Sequence, residues 1–352
     1  MKAWVLRDVG SIEFGLVDKP RPDRGEVVVA VKAAGICGSD IPRIYRTGAH
    51  VHPLIPGHEF AGVVEETGLD TAEEWQGKRV GIFPLIPCKE CKPCLNRQYE
   101  MCRNYNYLGS RRDGGFAEYV KVPAQNLILL PEGVSFEEAA MLEPMAVAVH
   151  AMQRALPGTG ENIVICGLGT IGLLLLMFLL EEQRRSHHSG TVLAVGNKEF
   201  QKQKALLFGL PEECYCDSRT EHVGKWIEEH TPGGADVFFE CVGKNETLTW
   251  AVDDTAPGGR ICLVGNPASH MTLRKDVYWK ILRNEQTIMG TWNSSFTGEE
   301  ADDWHYVMKL LSDKRITPGI LISHRLPLEE LGQGFCLMRD KSEDYVKIMG
   351  IM

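Results

Sequence analysis

A strand, a glycine-rich turn and a helix in the middle of the chain limit the fold more than any other feature. Residues 162–166 are mostly β-branched and apolar, and Gly167-Leu168-Gly169-Thr170-Ile171-Gly172 and a long apolar run follow. This G-x-G-x-x-G spacing between a buried strand and a helix is typical of a dinucleotide-binding turn. Gly167 permits the tight bend, Gly169 lets a pyrophosphate approach the backbone, and Gly172 lets helix pack on strand. A glycine turn without a ligand is the simpler alternative.

The start of the helix after this turn completes the predicted cofactor site. Thr170 and Ile171 lie where unpaired backbone amides would face the phosphates. The run over residues 163–180 carries no charge, and its length comes close to that of a membrane span. Because glycines interrupt it, a buried strand, a turn and a buried helix explain it better, and we expect no membrane contact.

The residues after the next predicted strand bear on the choice of cofactor. A strand over residues 191–195 should end in an acid if the cofactor is NAD, since that acid binds the ribose 2′-hydroxyl. The chain instead has Gly196, Asn197 and Lys198, with Lys202 one turn later. A neutral-to-basic tip accepts a 2′-phosphate, so the pattern favours NADP(H) over NAD and leaves both open. Further strand and helix alternation up to residue 265 predicts a doubly wound parallel sheet.

The rest of the chain predicts a second, mostly β domain. Short alternating strands fill the first 35 residues and continue around residues 60–64 and 79–82, which indicates an irregular barrel. We expect a catalytic domain over residues 1–150, a dinucleotide-binding domain over 151–291, and a return to the catalytic domain over 292–352. The predicted class is therefore α/β.

Composition excludes several classes of protein. The 352 residues are 44% hydrophobic and 24% charged with a net charge of −9, which describes a soluble globular protein with no nucleic-acid partner. No secretory signal opens the chain, and four of its 11 cysteines crowd together, which is more typical of metal ligands than of disulfides. We therefore expect a reducing, cytoplasmic location.

The four clustered cysteines predict a structural metal site in a lobe over residues 88–102. Cys88, Cys91, Cys94 and Cys102 have C-x2-C-x2-C-x7-C spacing, and four thiolates can surround one tetrahedral zinc ion. A full set of four leaves no open position for chemistry, so the site would serve as a scaffold. An iron–sulfur cluster is the competing interpretation, because its ligands are cysteines too.

A second set of donors points to a catalytic metal. Cys37 directly follows the β framework, and His58 and Glu59 follow about twenty residues later. Thiolate, imidazole and carboxylate are the groups that hold catalytic zinc. Glu143 stands in a very apolar helical segment, where a carboxylate needs a partner or a cation. A buried thiol with an unrelated histidine, and a surface salt bridge for Glu143, are the alternatives.

Taken together and in this order, the motifs resemble the zinc-dependent medium-chain alcohol dehydrogenases. The resemblance covers essentially the whole chain, and Glu143-Pro144 looks like the polyol dehydrogenase branch, in which glutamate replaces a cysteine ligand. The motifs that carry it are the glycine turn, the four-cysteine lobe, Gly35-Ile36-Cys37-Gly38-Ser39-Asp40, Gly57-His58-Glu59 and Asp113-Gly114-Gly115-Phe116-Ala117-Glu118-Tyr119.

The resemblance implies roles for these residues. Cys37, His58 and Glu143 would hold the catalytic zinc, with Glu59 as an alternate ligand or a water-mediated neighbour, so each chain would carry two zinc ions. Ser39 would pass the alcohol proton outward, although Ile41 and Pro42 stand where many relatives have a histidine. Zinc would lower the pKa of a secondary alcohol, and NAD or NADP would accept the hydride.

Basic residues in two loops suggest the substrate. A cationic rim of arginines would suit a phosphate, so we expect a phosphorylated polyol. Solvated arginines and an unphosphorylated polyol or 2,3-diol are the alternative, and a non-catalytic nucleotide-binding relative is a more distant one. The family also implies a homodimer or homotetramer, assembled through strands near Cys262 to Trp292. The arginines concerned are Arg43, Arg46, Arg111 and Arg112.

Overall fold

The computed structural model describes residues 1–186 and 189–352 and divides the chain into two compact units. The first unit contains Met1–Pro144 and Ser295–Met352, and the second contains Met145–Ser294. The sequence predicted these transitions a few residues away, after residues 150 and 291.

The bounds of the elements within the described residues are as follows. The strands are β1 (Lys2–Asp8), β2 (Ser11–Leu16), β3 (Glu26–Ile36), β4 (Glu59–Thr67), β5 (Arg79–Ile82), β6 (Leu85–Ile86), β7 (Asn106–Tyr107), β8 (Tyr119–Pro123), β9 (Leu127–Leu129), β10 (Ile163–Cys166), β11 (Val192–Gly196), β12 (Tyr215–Asp217), β13 (Ala235–Glu240), β14 (Thr255–Leu263), β15 (Thr287–Gly290), β16 (Ile322–Pro327) and β17 (Lys347–Ile351). The α-helices are α1 (Asp40–Pro42), α2 (Lys92–Leu95), α3 (Phe136–Ala140), α4 (Leu142–Ala155), α5 (Thr170–Ser186), α6 (Glu199–Leu207), α7 (Val223–His230), α8 (Asn245–Asp253), α9 (Lys275–Arg283), α10 (Asp303–Ser312) and α11 (Leu331–Asp340).

The main sheet of the first unit is mixed and centres on β3. Its order is β16-β17-β3-β4-β5-β9, and β8 also pairs with β3. β3 is long and apolar, and most of its side chains are buried, as expected for a strand covered on both faces. Because β3 is antiparallel to both β4 and β17, the end of β3 meets the starts of β4 and β17.

The register at this junction brings distant residues together. Gly35 pairs with Glu59 of β4, and Ile36 pairs with Ile348 of β17. A Cβ atom added at Gly35 would overlap the Glu59 carboxylate, so only glycine leaves that side chain its present position. Cys37, which follows β3, and His58, which precedes β4, therefore lie at the same edge of the sheet.

The second unit contains a parallel sheet with the order β12-β11-β10-β13-β14-β15. In chain order this is 3-2-1-4-5-6, the arrangement of doubly wound dinucleotide-binding domains. Its core includes the fully buried Val164, Leu193, Phe238 and Ile261. The predicted α/β class, with a doubly wound sheet and a separate mostly β unit, is confirmed.

The apolar run that follows the glycine turn is a buried helix of this unit. Residues 172–181 of α5 are buried. Among residues 1–186 and 189–352, no helix combines the length and the apolar character that crossing a membrane requires.

Candidate active site

Three donor side chains meet where β3 ends and β4 begins. One ligand atom each of Cys37, His58 and Glu59 lies within 4.8 Å of the others. His58 and Glu59 are buried, and Cys37 is half-buried. A sulfur, a nitrogen and an oxygen donor at this separation fit a zinc ion, which binds such ligands at about 2.0–2.3 Å.

A buried carboxylate behind the cluster orients two of these groups. Asp40 accepts a hydrogen bond from the backbone N–H of Cys37 at 3.0 Å and one from Arg43 Nη1 at 2.6 Å. Its Oδ1 also lies 3.5 Å from His58 Nδ1. Burial opposes ionisation of Asp40, but His58 and Arg43 outweigh it and hold the pKa of this carboxyl below its usual value. Asp40 is therefore a negatively charged neighbour of the His58 ring.

Ser39 lies beside the proposed thiolate ligand. Its hydroxyl donates a hydrogen bond to Cys37 Sγ at 3.3 Å, and its side chain is half-buried. The structure thus places this predicted proton-passing residue next to the cluster.

A buried lysine, which the sequence did not reveal, contacts the same cluster. Lys347, only 2% exposed, donates to Glu59 Oε2 at 2.5 Å and to the carbonyl of Ile36 at 3.2 Å. Burial lowers the pKa of Lys347, but Glu59 and Cys37 outweigh it, and the pKa is raised. Glu59 is therefore already half of an ion pair.

Glu143 lies nearby but outside the group of three. It stands in the first turn of α4, is 9% exposed, and accepts a hydrogen bond through Oε1 from Tyr107 Oη at 3.2 Å. Burial raises the pKa of Glu143 to about 7, with Glu59 adding to the rise and His58 and Lys347 opposing it. A buried carboxylate with so high a pKa would gain from a bound cation.

The four-cysteine lobe forms the second donor cluster. One Sγ atom from each of Cys88, Cys91, Cys94 and Cys102 lies within 4.8 Å of the others. The Cys91–Cys94 sulfur separation is 3.5 Å, and all four are free thiols. Backbone amides donate to the Cys91 sulfur and lower its pKa to about 6, whereas burial raises the pKa of Cys94 to about 12. Four converging sulfurs fit a tetrahedral metal ion.

The glycine turn lies in the second unit at the edge of a cavity of about 310 Å³. Gly167 and Gly169 line this cavity together with Asn197. Gly167 adopts a positive φ of 99°, and a Cβ added at Gly172 would overlap its carbonyl oxygen, so both positions require glycine. Thr170 and Ile171 open α5 directly after the turn, as the sequence predicted.

Of the residues predicted to favour NADP(H), Asn197 lines this cavity, whereas Lys198 and Lys202 contact other side chains. Lys202 Nζ forms an ion pair with Glu212 at 2.7 Å, and Lys198 Nζ lies 5.2 Å from the centre of the Phe200 ring. At Gly196, an added Cβ would lie 2.7 Å from Tyr215 Oη. Tyr215 therefore occupies the space that an acidic side chain at position 196 would enter.

The structure gives the four arginines different surroundings. Arg43 binds the buried Asp40, whereas Arg46 is exposed. Arg112 forms a 2.8 Å ion pair with Glu26 and does not join the others.

Arg111 is the arginine whose surroundings best suit an anion. Its guanidinium lies 4.7 Å from the centre of the Tyr105 ring, and its buried Nε has no hydrogen-bond partner. Burial, followed by Arg111 and Arg43, lowers the pKa of His50, so the two arginines place positive charge around this imidazole.

The fold and its two donor clusters define a zinc-binding dehydrogenase. Residues 23–132 match the family model for the alcohol dehydrogenase GroES-like domain, and residues 186–313 match the model for zinc-binding dehydrogenase. The chain belongs to the zinc-dependent medium-chain alcohol and polyol dehydrogenases, oxidoreductases that act on CH–OH donors.

Named relatives include several polyol dehydrogenases. The chain is 32% identical over 308 residues to galactitol 1-phosphate 5-dehydrogenase of Escherichia coli (strain K12), which covers 88% of this chain and 87% of that one. It is 29% identical to a sorbitol dehydrogenase of Halalkalibacterium halodurans, with 99% and 98% covered.

Solved structures agree with this placement. The crystal structure of galactitol-1-phosphate dehydrogenase from Escherichia coli superposes with a TM-score of 0.88 at 30% identity, covering 100% of both chains. A zinc-binding dehydrogenase from Sinorhizobium meliloti 1021 bound to NADP gives 0.88 at 27% identity, covering 100% of this chain and 99% of that one. An alcohol dehydrogenase from Escherichia coli CFT073 complexed with NADH gives 0.89 at 26% identity, with the same coverage.

Proposed function

We propose that this dehydrogenase oxidises a secondary alcohol of a sugar-alcohol phosphate such as galactitol 1-phosphate. The observation that carries the proposal is the guanidinium of Arg111, which is stacked on Tyr105 and has a buried, unpaired Nε. A guanidinium held beside an aromatic ring with an unused N–H donor is suited to the oxygens of a phosphate.

The surroundings of Arg111 support the same proposal. Arg43 adds positive charge to its region, and burial together with the two arginines lowers the pKa of His50, so this imidazole is neutral and offers a ring N–H rather than a charge. Arg43 is partly neutralised by Asp40, and Arg112 is paired with Glu26. We therefore assign the phosphate to Arg111 and His50, and we leave Arg112 outside the proposed binding group. The relative named galactitol 1-phosphate 5-dehydrogenase also favours a phosphorylated substrate.

We further propose two zinc ions per chain, one in each donor cluster. The four converging thiols suit a structural ion. At the other cluster, Cys37, His58 and Glu143 would hold the catalytic ion, because Lys347 already neutralises Glu59 and keeps its carboxylate in an ion pair. Glu59 remains close enough to act as an alternate ligand.

The residues of the first unit then have distinct tasks in the reaction. When bound, zinc supplies Lewis-acid chemistry that lowers the pKa of the substrate alcohol, and the nicotinamide cofactor accepts the hydride. Ser39, beside Cys37, would take the proton that the alcohol loses and pass it outward. Asp40 holds the backbone of Cys37 in place and lies beside the imidazole of His58. Arg111 would fix the far end of the substrate, which aligns the carbon to be oxidised.

For the cofactor, we propose a preference for NADP(H). An acid that binds the ribose 2′-hydroxyl is missing at position 196, and Tyr215 fills its space. Asn197 lines the cavity, and Lys198 adjoins it in sequence, so the end of β11 carries neutral and basic residues where an NAD-binding strand would carry an acid. The relative bound to NADP supports the preference, whereas the relative complexed with NADH keeps NAD as the alternative.

The decisive experiment compares kcat/KM for polyols and their phosphates with both cofactors. We expect galactitol 1-phosphate to exceed galactitol by orders of magnitude and Arg111→Ala to remove most of that difference through KM. Arg46→Ala is the matched control, because Arg46 is an exposed arginine of the same unit. Equal kcat/KM for the two substrates would refute the phosphate proposal and favour the unphosphorylated polyol suggested by the sorbitol dehydrogenase relative.

We also propose that two chains associate through the edge of the parallel sheet. β15 is an edge strand of that sheet, and Ile288 on it is 36% exposed. Trp292, just beyond it, and Trp279 on α9 are 53% and 54% exposed. Exposed strand edges with large apolar side chains invite pairing with another copy. Light scattering should give the molar mass of a dimer or tetramer. Ile288→Lys, which puts a charge on this edge, should lower the measured mass toward that of the monomer.

A further inference from the structure

The side chain of Tyr107 contacts two of the residues proposed to hold the catalytic zinc, Glu143 and His58. Its hydroxyl donates to Glu143 Oε1 at 3.2 Å, and its ring packs edge-on against His58 with 5.9 Å between ring centres. Its other neighbour is the Tyr105 ring, at 6.1 Å, which in turn carries Arg111. Nothing in the sequence pattern had marked this tyrosine.

The backbone of Tyr107 fixes where the side chain stands. Tyr107 pairs with Leu85 in the short β6–β7 ladder. Its carbonyl accepts hydrogen bonds from the backbone N–H groups of Arg111 at 2.9 Å and Arg112 at 3.1 Å. None of these bonds uses the hydroxyl, so phenylalanine would keep the same backbone and ring packing. The contact of the hydroxyl with Glu143 is therefore not needed to hold the backbone of Tyr107.

We propose that Tyr107 is a positioning residue that orients the Glu143 carboxylate for metal binding. Tyr107 donates its hydrogen bond to Oε1, so the other oxygen of Glu143 would be available to a bound zinc ion. Groups that hydrogen-bond to a metal ligand in this manner typically raise metal affinity 10–100-fold. The inference rests on the proposed function, because it takes Cys37, His58 and Glu143 as the catalytic zinc site.

The same contact distinguishes the two carboxylates near the ion. Glu59 is bound by the cation of Lys347, which neutralises its charge and competes with the metal. Glu143 is bound by a neutral phenol, which orients the carboxylate without cancelling its charge. The partners thus favour Glu143 over Glu59 as the permanent ligand.

The test is the zinc affinity of Tyr107→Phe, measured by competition with a chromophoric chelator and by metal content after dialysis. After dialysis, we expect wild type to retain two zinc ions and Tyr107→Phe to retain one. In the chelator competition, the affinity of Tyr107→Phe for the ion at the catalytic cluster should be about 10–100-fold lower. Tyr119→Phe, which removes a phenol on β8 of the same unit, should leave zinc affinity unchanged. Far-ultraviolet circular dichroism checks that each variant is folded.

A second measurement separates positioning from a general loss of structure. In a Glu143→Gln background, Tyr107→Phe should produce little further loss of zinc affinity, because the two changes remove one interaction. The inference would be overturned if Tyr107→Phe left zinc affinity unchanged. It would also be overturned if Tyr107→Phe reduced zinc affinity as much in the Glu143→Gln background as in wild type. Either result would leave the proposed function intact. A wild-type chain that binds only one zinc ion would instead contradict the proposed function.

Discussion

Replacing Lys347 with methionine should destabilise the first unit severely when no metal is bound. Methionine keeps most of the side-chain volume but removes the cation that lies 2.5 Å from Glu59 Oε2. Both side chains are at most 2% exposed, so the remaining carboxylate has no access to solvent. Breaking a buried ion pair by removing one partner typically costs about 3–5 kcal/mol. We expect a loss of this size in the free energy of unfolding.

The assay is urea denaturation of chelator-treated protein, together with hydrogen exchange of the β3–β17 amides. The exchange measurement localises the loss to the strands that carry the pair, since Ile348 and Ile36 are paired there. Glu59→Gln in the Lys347→Met background should recover much of the lost stability, because the unpaired charge is gone. A loss below about 1 kcal/mol, the size usual for exposed pairs, would refute the reasoning.

Three further predictions concern the metal sites. Cys37→Ser should collapse turnover but leave cofactor affinity unchanged, as measured by nicotinamide fluorescence titration; full turnover would defeat the catalytic assignment. The zinc affinity of the catalytic cluster should weaken as pH falls below about 7, because burial raises the pKa of Glu143 to about 7 and the proton then competes with the ion; a pH-independent affinity from pH 8 to 5.5 would contradict this. Cys102→Ser should release the structural zinc and lower the melting temperature, and a variant that keeps two zinc ions would show that the lobe does not bind metal as proposed.

The sequence predicted well those features that depend on local pattern. The glycine turn, its flanking strand and its helix occupy adjacent positions, so their spacing indicated the parallel sheet that the structure contains. The same holds for the four cysteines, whose short spacing lets their sulfurs converge. Cys37 and His58 are separated in sequence, but each follows or precedes a recognisable strand.

Features that depend on long-range pairing were missed. Lys347 reaches Glu59 because β17 pairs with β3, and its contact with Ile36 joins residues 311 positions apart. A single lysine near the end of the sequence carries no local signal of such a partner. Arg112 was grouped with Arg111 because the two are adjacent, yet their side chains diverge and Arg112 binds Glu26. Adjacent positions in a turn give no information on which side chain faces which partner.

The pairing of β17 with β3 also affects when the metal centre can form during synthesis. Cys37, His58 and Glu143 leave the ribosome long before Lys347, and until β17 docks, the Glu59 carboxylate has no cation to bind. A nascent chain would thus present two carboxylates to an incoming ion, and docking of β17 would withdraw one of them.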